Sequence, residues 1–95
     1  MKNTVAEQNE IKLLNAAIDE FASLMKEKLT EKAKLGYRGW DDIKSRDIIL
    51  DRLRNNLAKN DFVDVANLSM MLHFIHEKVS SVARALDGFN GEYRR

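Results

Sequence analysis

The chain has 95 residues, a net charge of +1, 44% apolar and 33% charged side chains, and neither proline nor cysteine. That length fits one domain with a modest core, and the absence of cysteine excludes a disulfide scaffold, a thiolate nucleophile and a zinc–thiolate site. The balanced charge argues against a DNA-binding protein, which carries a larger positive excess, and equally against an acidic DNA mimic.

The first predicted element runs from about Thr4 to Leu35. Ile11, Leu14, Ile18, Phe21 and Met25 step by 3, 4, 3 and 4, with Leu24 and Leu29 widening the stripe and Glu20, Lys26, Glu27, Glu31 and Lys32 on the other side. That is the pattern of an amphipathic helix. Gly36 follows a lysine-bearing last turn, as a helix-ending glycine should. After a loop, Ser45 is the expected N-cap of a short helix over about Arg46–Lys59, with Ile49, Leu50, Leu53 and Leu57 as its buried face. Asn60 and Asp61 break the chain, and Asp61 can cap a third helix reaching about Asp87, with Asp64 in its first turn. In that helix Val65, Leu68, Leu72, Ile75, Val79, Val82 and Leu86 form a heptad seam. A second apolar row (Ala66, Met70, Met71, Phe74) makes its first half the most buried part of the chain.

These patterns predict an all-α fold. The first and third helices would pair as a long antiparallel hairpin, with the short helix and the Trp40 loop closing one end. Residues 1–95 are expected to form a single helical domain, with 1–8 and 88–95 flexible. The seam is longer than one short partner helix needs, which predicts a homo-oligomer. No apolar run approaches the ~20 residues of a membrane span, and Met1–Glu10 has no apolar signal region. A cytoplasmic location with no membrane partner is therefore expected by elimination.

Two segments carry chemistry. Gly36-Tyr37-Arg38-Gly39-Trp40-Asp41-Asp42 gathers two of the four glycines, the only tryptophan and a guanidinium. Aromatic faces can stack a planar base while Arg38 and glycine-freed amides hold a phosphate; the same residues can also merely plug and turn one end of a bundle. Asp61, Asp64 and Asn67 lie a turn apart on one helix face. The two carboxylates could share a Mg²⁺ ion and Asn67 could meet a base edge, whereas the plainer alternative makes Asp61 a cap and Asp64 a complement to the helix dipole. His73 and His76 have the wrong spacing for a helical metal pair, and no serine sits in a nucleophile turn. No catalytic residue is expected from these.

The order of Gly39-Trp40-Asp41-Asp42, Ile49-Leu50-Asp51-Arg52-Leu53-Arg54 and Asp64-Val65-Ala66-Asn67-Leu68-Ser69-Met70-Met71-Leu72 resembles short proteins of phage genomes. These in turn resemble the all-α, MazG-like nucleotide pyrophosphohydrolases. The likeness covers about residues 20–75. It implies a Mg²⁺ site built from an E-E-x-x-E motif and an E-x-x-D motif. The second survives as Asp61-x-x-Asp64; where the first should stand there are Asn55, Asn56 and Lys59. Two amides and an ammonium cannot replace three carboxylates around Mg²⁺.

The resulting expectation is a phage-type helical protein that binds a nucleotide, or a nucleotide-like signal of host defence, without hydrolysing it. Tyr37, Arg38, Trp40 and Asn67 would form the ligand site, with Asp61 and Asp64 as a weak metal pair. Two alternatives stay open. One is a reduced Mg²⁺-dependent pyrophosphohydrolase; the other is a protein-interaction module acting on a host protein through the seam and the Tyr93-Arg94-Arg95 tail.

Overall fold

The structure is a computed structural model that describes residues 4–90, with side chains through residue 86. It is all-helical, with α1 (Val5–Lys34), a 3₁₀ turn (Ile43–Ser45), α2 (Arg46–Ala58) and α3 (Phe62–Asn90). The chain divides into two compact units, Met1–Gly36 and Tyr37–Arg95. Each is described by itself.

The first unit is α1. Its start is fixed by a capping box: the Glu7 amide donates to Thr4 Oγ1 at 3.0 Å, and the Thr4 amide donates to Glu7 Oε1 at 2.9 Å. Residues 4–8, expected to be flexible, therefore belong to the cap and first turn of the helix. At the other end Leu35 is the C-cap, and Gly36 takes φ +96° with its N–H on the Ala33 carbonyl at 3.0 Å. Only glycine adopts that backbone without penalty. Over its whole length α1 has no fully buried residue. Ile11, Leu13, Leu14, Ile18 and Leu24 are between 45 and 65% exposed, while Phe21, Met25 and Leu29 are half-buried.

In the second unit the antiparallel hairpin is made by α2 and α3. The two long helices expected to pair, α1 and α3, belong to different units. The turn between α2 and α3 is short because both helices end on the same residues. Lys59 caps α2, Asn60 takes φ +62°, and the N–H groups of Asn60 and Asp61 return to the carbonyls of Leu57 and Asn56, each at 3.0 Å. This is a Schellman closure, with asparagine in the left-handed position usually given to glycine. Asp61 then opens α3 by accepting the Asp64 amide at 3.1 Å. One residue thus ends α2 with its backbone and starts α3 with its side chain.

The core of this hairpin is Ile49 of α2 and Ile75 of α3, the only fully buried apolar side chains among the described residues. Leu50, Leu53, Val65, Leu68 and Leu72 are half-buried, whereas Leu57, placed by sequence on the buried face, is exposed. α3 continues to Asn90 rather than stopping near Asp87, so Gly88 is helical. The Tyr93–Arg95 tail lies outside the described residues.

Candidate functional site

The segment before α2 is knitted by local hydrogen bonds. The Gly39 carbonyl accepts both the Asp42 amide at 3.3 Å and the Ser45 hydroxyl at 2.7 Å. Asp42 caps the 3₁₀ turn through the Lys44 amide at 2.9 Å. Ser45 was expected to cap α2; its backbone is helical and makes no side-chain cap, because its hydroxyl is turned back to Gly39. Trp40 sits inside this Gly39–Asp42 turn and is 40% exposed, neither a buried plug nor fully open. Tyr37 is exposed, and the Arg38 guanidinium donates to the Tyr37 carbonyl at 2.8 Å.

One long-range clasp fixes where this loop meets α3. The Lys78 ammonium donates to Asp41 Oδ2 at 2.7 Å and to the Asp41 carbonyl at 3.3 Å. The hydrogen bond from Lys78, aided by its charge, holds the Asp41 carboxyl below the ordinary carboxylate range. Both partners are solvated, so the clasp positions the loop more than it stabilises the fold.

That position places Asp41 along α3 relative to the acidic turn. Lys78 is fourteen residues beyond Asp64, roughly 21 Å along the helix axis at 1.5 Å per residue. The aromatic loop therefore joins α3 near its middle, while Asp61 and Asp64 stand at the α2–α3 turn. α2 lies between these two places. Asn67, assigned by sequence to a base edge, is buried and is not without interactions; a ligand would reach it only after the surrounding packing opened. Tyr37, Arg38 and Trp40 stay together on the loop, and Asp61, Asp64 and Asn67 stay together at the start of α3.

The acidic turn also fits a magnesium ion poorly. One oxygen of Asp61 already accepts the Asp64 amide. Among the described residues, no group of three or more histidine, aspartate and glutamate side chains is arranged to hold a metal. Two carboxylates, one engaged as a cap, leave too few oxygen ligands for Mg²⁺.

What the geometry does form is a groove that composition did not reveal. It has a volume of about 570 Å³ and runs beneath the loop along the second half of α3, between Ile43 and the Asp41–Lys78 clasp on one side and Val79, Val82 and Leu86 on the other, with Ile75 at its inner end. A smaller recess of about 300 Å³ continues past Arg46 toward Leu72 and His76. The signal for the groove was present in the sequence as a mismatch of lengths. α2 has 13 residues and α3 has 29, so about 20 Å of helix can cover less than half of roughly 43 Å. Val79, Val82 and Leu86 are consequently between 46 and 60% exposed. No helix among the described residues is long and apolar enough to cross a membrane. No protein-family model, curated protein or solved structure matches the chain.

Proposed function

We propose that this chain is a protein-interaction module whose α3 groove receives the apolar face of an amphipathic helix from a partner protein, a host protein if the phage-like resemblance holds. The observation that carries this reading is the open half of the α3 seam. Three successive seam residues, Val79, Val82 and Leu86, line a groove with an ion-paired rim. An apolar row at helical spacing is the surface that helix-in-groove recognition uses, with anchors about one turn apart. Asp41, next to Trp40, is held at Lys78, fourteen residues beyond Asp64, which weighs against a nucleotide held between Trp40 and the acidic turn, and the short supply of carboxylates weighs against hydrolysis.

The test uses wild type and Val82→Asp as paired baits. Val82 is exposed, so the variant should keep its helix content and Trp40 emission while placing a charge in the groove. The expected result is a protein retained by wild type and lost by Val82→Asp. Once purified, that protein should bind wild type at least about tenfold tighter, a difference of about 1.4 kcal/mol. Equal retention by both baits removes the groove from the function. Thermal shift and Trp40 quenching across mono-, di- and cyclic nucleotides form the second arm. A response lost in Arg38→Ala would replace this reading with nucleotide binding at the loop.

A further inference from the structure

The groove and the smaller recess share Ile43, Ile75 and Val79, so they form one trough along the α3 seam. Leu86 at one end is fourteen residues beyond Leu72 at the other, roughly 21 Å or four helical turns. The two ends differ in chemistry. Val79, Val82 and Leu86 make the groove apolar, whereas the recess sets the Arg46 guanidinium and the His76 imidazole among aliphatic side chains. We infer, resting on the helix-in-groove reading, that this recess receives a carboxylate of the docked helix, an aspartate or glutamate about one to two turns beyond its apolar anchors.

The charges of the trough are divided between its edges. At about 100° per residue, Lys78 lies roughly 80° to one side of the mean direction of the seam, and His76 roughly 80° to the other. On the first edge the Lys78 ammonium is matched by Asp41 at 2.7 Å, and Asp42 adds a second carboxylate, so that edge is acidic on balance. The recess has the opposite character. Arg46 and His76 are both exposed. The Arg46 side chain touches Asp47 Oδ1 through Nη1 at 3.3 Å, but the Asp47 side chain is 93% exposed and water screens the pair. A guanidinium has five N–H donors in a planar fork, so Arg46 keeps others for an incoming carboxylate. His76 Nε2 lies 3.4 Å from Ser80 Oγ, which places a second hydrogen-bonding group beside the guanidinium. Arg46 is also the first residue of the 13-residue α2. The positive end of that helix therefore adds to the guanidinium charge, an effect that Asp47 in the same turn offsets in part.

The register follows from the seam. A helix lying along it sets its last apolar anchor on Val79. His76 and Leu72 are three and seven residues before Val79, roughly 4.5 and 10.5 Å along the axis. A side chain of the docked helix at that distance meets Arg46. A carboxylate there is attracted, and a lysine is repelled.

The test is selection from a displayed library of helical peptides, with leucines fixed at 3,4 spacing and both flanks randomised. The baits are full-length wild type, Arg46→Glu and Val82→Asp. Glutamate suits the first turn of α2, so Arg46→Glu should keep the helix content and Trp40 emission of wild type. Peptides recovered on wild type and absent from Val82→Asp should carry aspartate or glutamate about one to two turns past the terminal leucine. Those recovered on Arg46→Glu should carry lysine or arginine there. A peptide selected on wild type should lose about fivefold in affinity when its acid becomes the amide, and little when the bait is Arg46→Gln. Val82-dependent peptides with no charge preference at that position, or with the same preference on both baits, overturn the inference and leave the groove standing. No Val82-dependent peptide at all removes both. Self-association of wild type that Val82→Asp abolishes makes a second copy the occupant and also overturns the inference.

Discussion

Ile75→Ala tests whether the α2–α3 hairpin is organised around one side chain. Ile75 is 2% exposed and forms the inner end of the groove. Replacing it with alanine removes three carbons, about 2.4 kcal/mol of lost burial at ~0.8 kcal/mol per methylene. Buried isoleucine-to-alanine changes cost about 2–5 kcal/mol, the upper values arising from sealed cavities. Here the vacated space opens into the groove, so the expected cost is about 2–3 kcal/mol. Val79, one turn further along and 46% exposed, is the internal control: two carbons at half burial amount to about 0.8 kcal/mol. The helix-propensity gain of alanine is similar for both and cancels in the comparison. Urea titration at fixed protein concentration, followed by the fluorescence of the sole tryptophan, reports on the hairpin unit alone. Ile75→Ala should lose about 1.6 kcal/mol more than Val79→Ala, with an unchanged slope. If the two variants fall within about 0.5 kcal/mol of each other, Ile75 is not the organising residue and the packing argument fails.

The α2–α3 turn and the clasp give the remaining predictions. Asp61→Ala should lower the stability of the hairpin by about 1 kcal/mol while Asp61→Asn stays near neutral, since either side-chain oxygen can cap; the same urea assay checks it, and equal losses would point to a role for the carboxylate charge. Asn60→Ala should cost about 1–2 kcal/mol because Asn60 holds a left-handed φ, and Asn60→Gly should cost nothing, measured as the shift in urea midpoint. The folded pKa of Asp41 is lowered, so the clasp contributes fully above the unfolded carboxylate value of about 3.9 and is lost as pH falls through the lower folded value. Trp40 anisotropy should therefore drop below about pH 4, and Lys78→Met should give the acid-state anisotropy at every pH. Pyrophosphate release from nucleoside triphosphates with Mg²⁺ should stay at background, since Asn55, Asn56 and Lys59 stand where acidic ligands would be needed.

Features fixed within a few residues were legible in the sequence. The 3,4 spacing of α1 placed its ends to within about a residue of Val5 and Lys34, and Gly36 and Asp61 take the terminating and capping roles their residue types suggest. The capping box at Thr4 has its own signature, a threonine followed three residues later by glutamate, and so lies within reach of the same reading. Ser45 shows where local reasoning ends. As a serine before a helix it has the right chemistry for a cap, yet its hydroxyl finds the Gly39 carbonyl six residues upstream, and the intervening Asp42 performs the capping one turn earlier. The clasp between Asp41 and Lys78 joins residues 37 apart, and two ordinary surface charges carry no mark of each other in a single sequence. That one contact fixes where Asp41, the neighbour of Trp40, lies along α3, a placement that the spacing of residues within either segment does not carry.

Helix length is the feature from which the groove proposal grows. An α-helix advances about 1.5 Å per residue whatever its sequence, so a 13-residue helix beside a 29-residue one leaves an uncovered remainder. That remainder is apolar because the heptad seam runs on through Val79, Val82 and Leu86 without a polar substitution. Evenly solvated helices would carry polar residues at these positions, since isolated helices draw most of their stability from a packed apolar face. Two buried aliphatic side chains, Ile49 and Ile75, are a small core for the described residues, and burial scales poorly in chains this short. Association at the α3 groove would supply further contacts. Under the proposed function, Val79, Val82 and Leu86, which look surplus to the fold, would form the docking surface, with Asp41 on its rim.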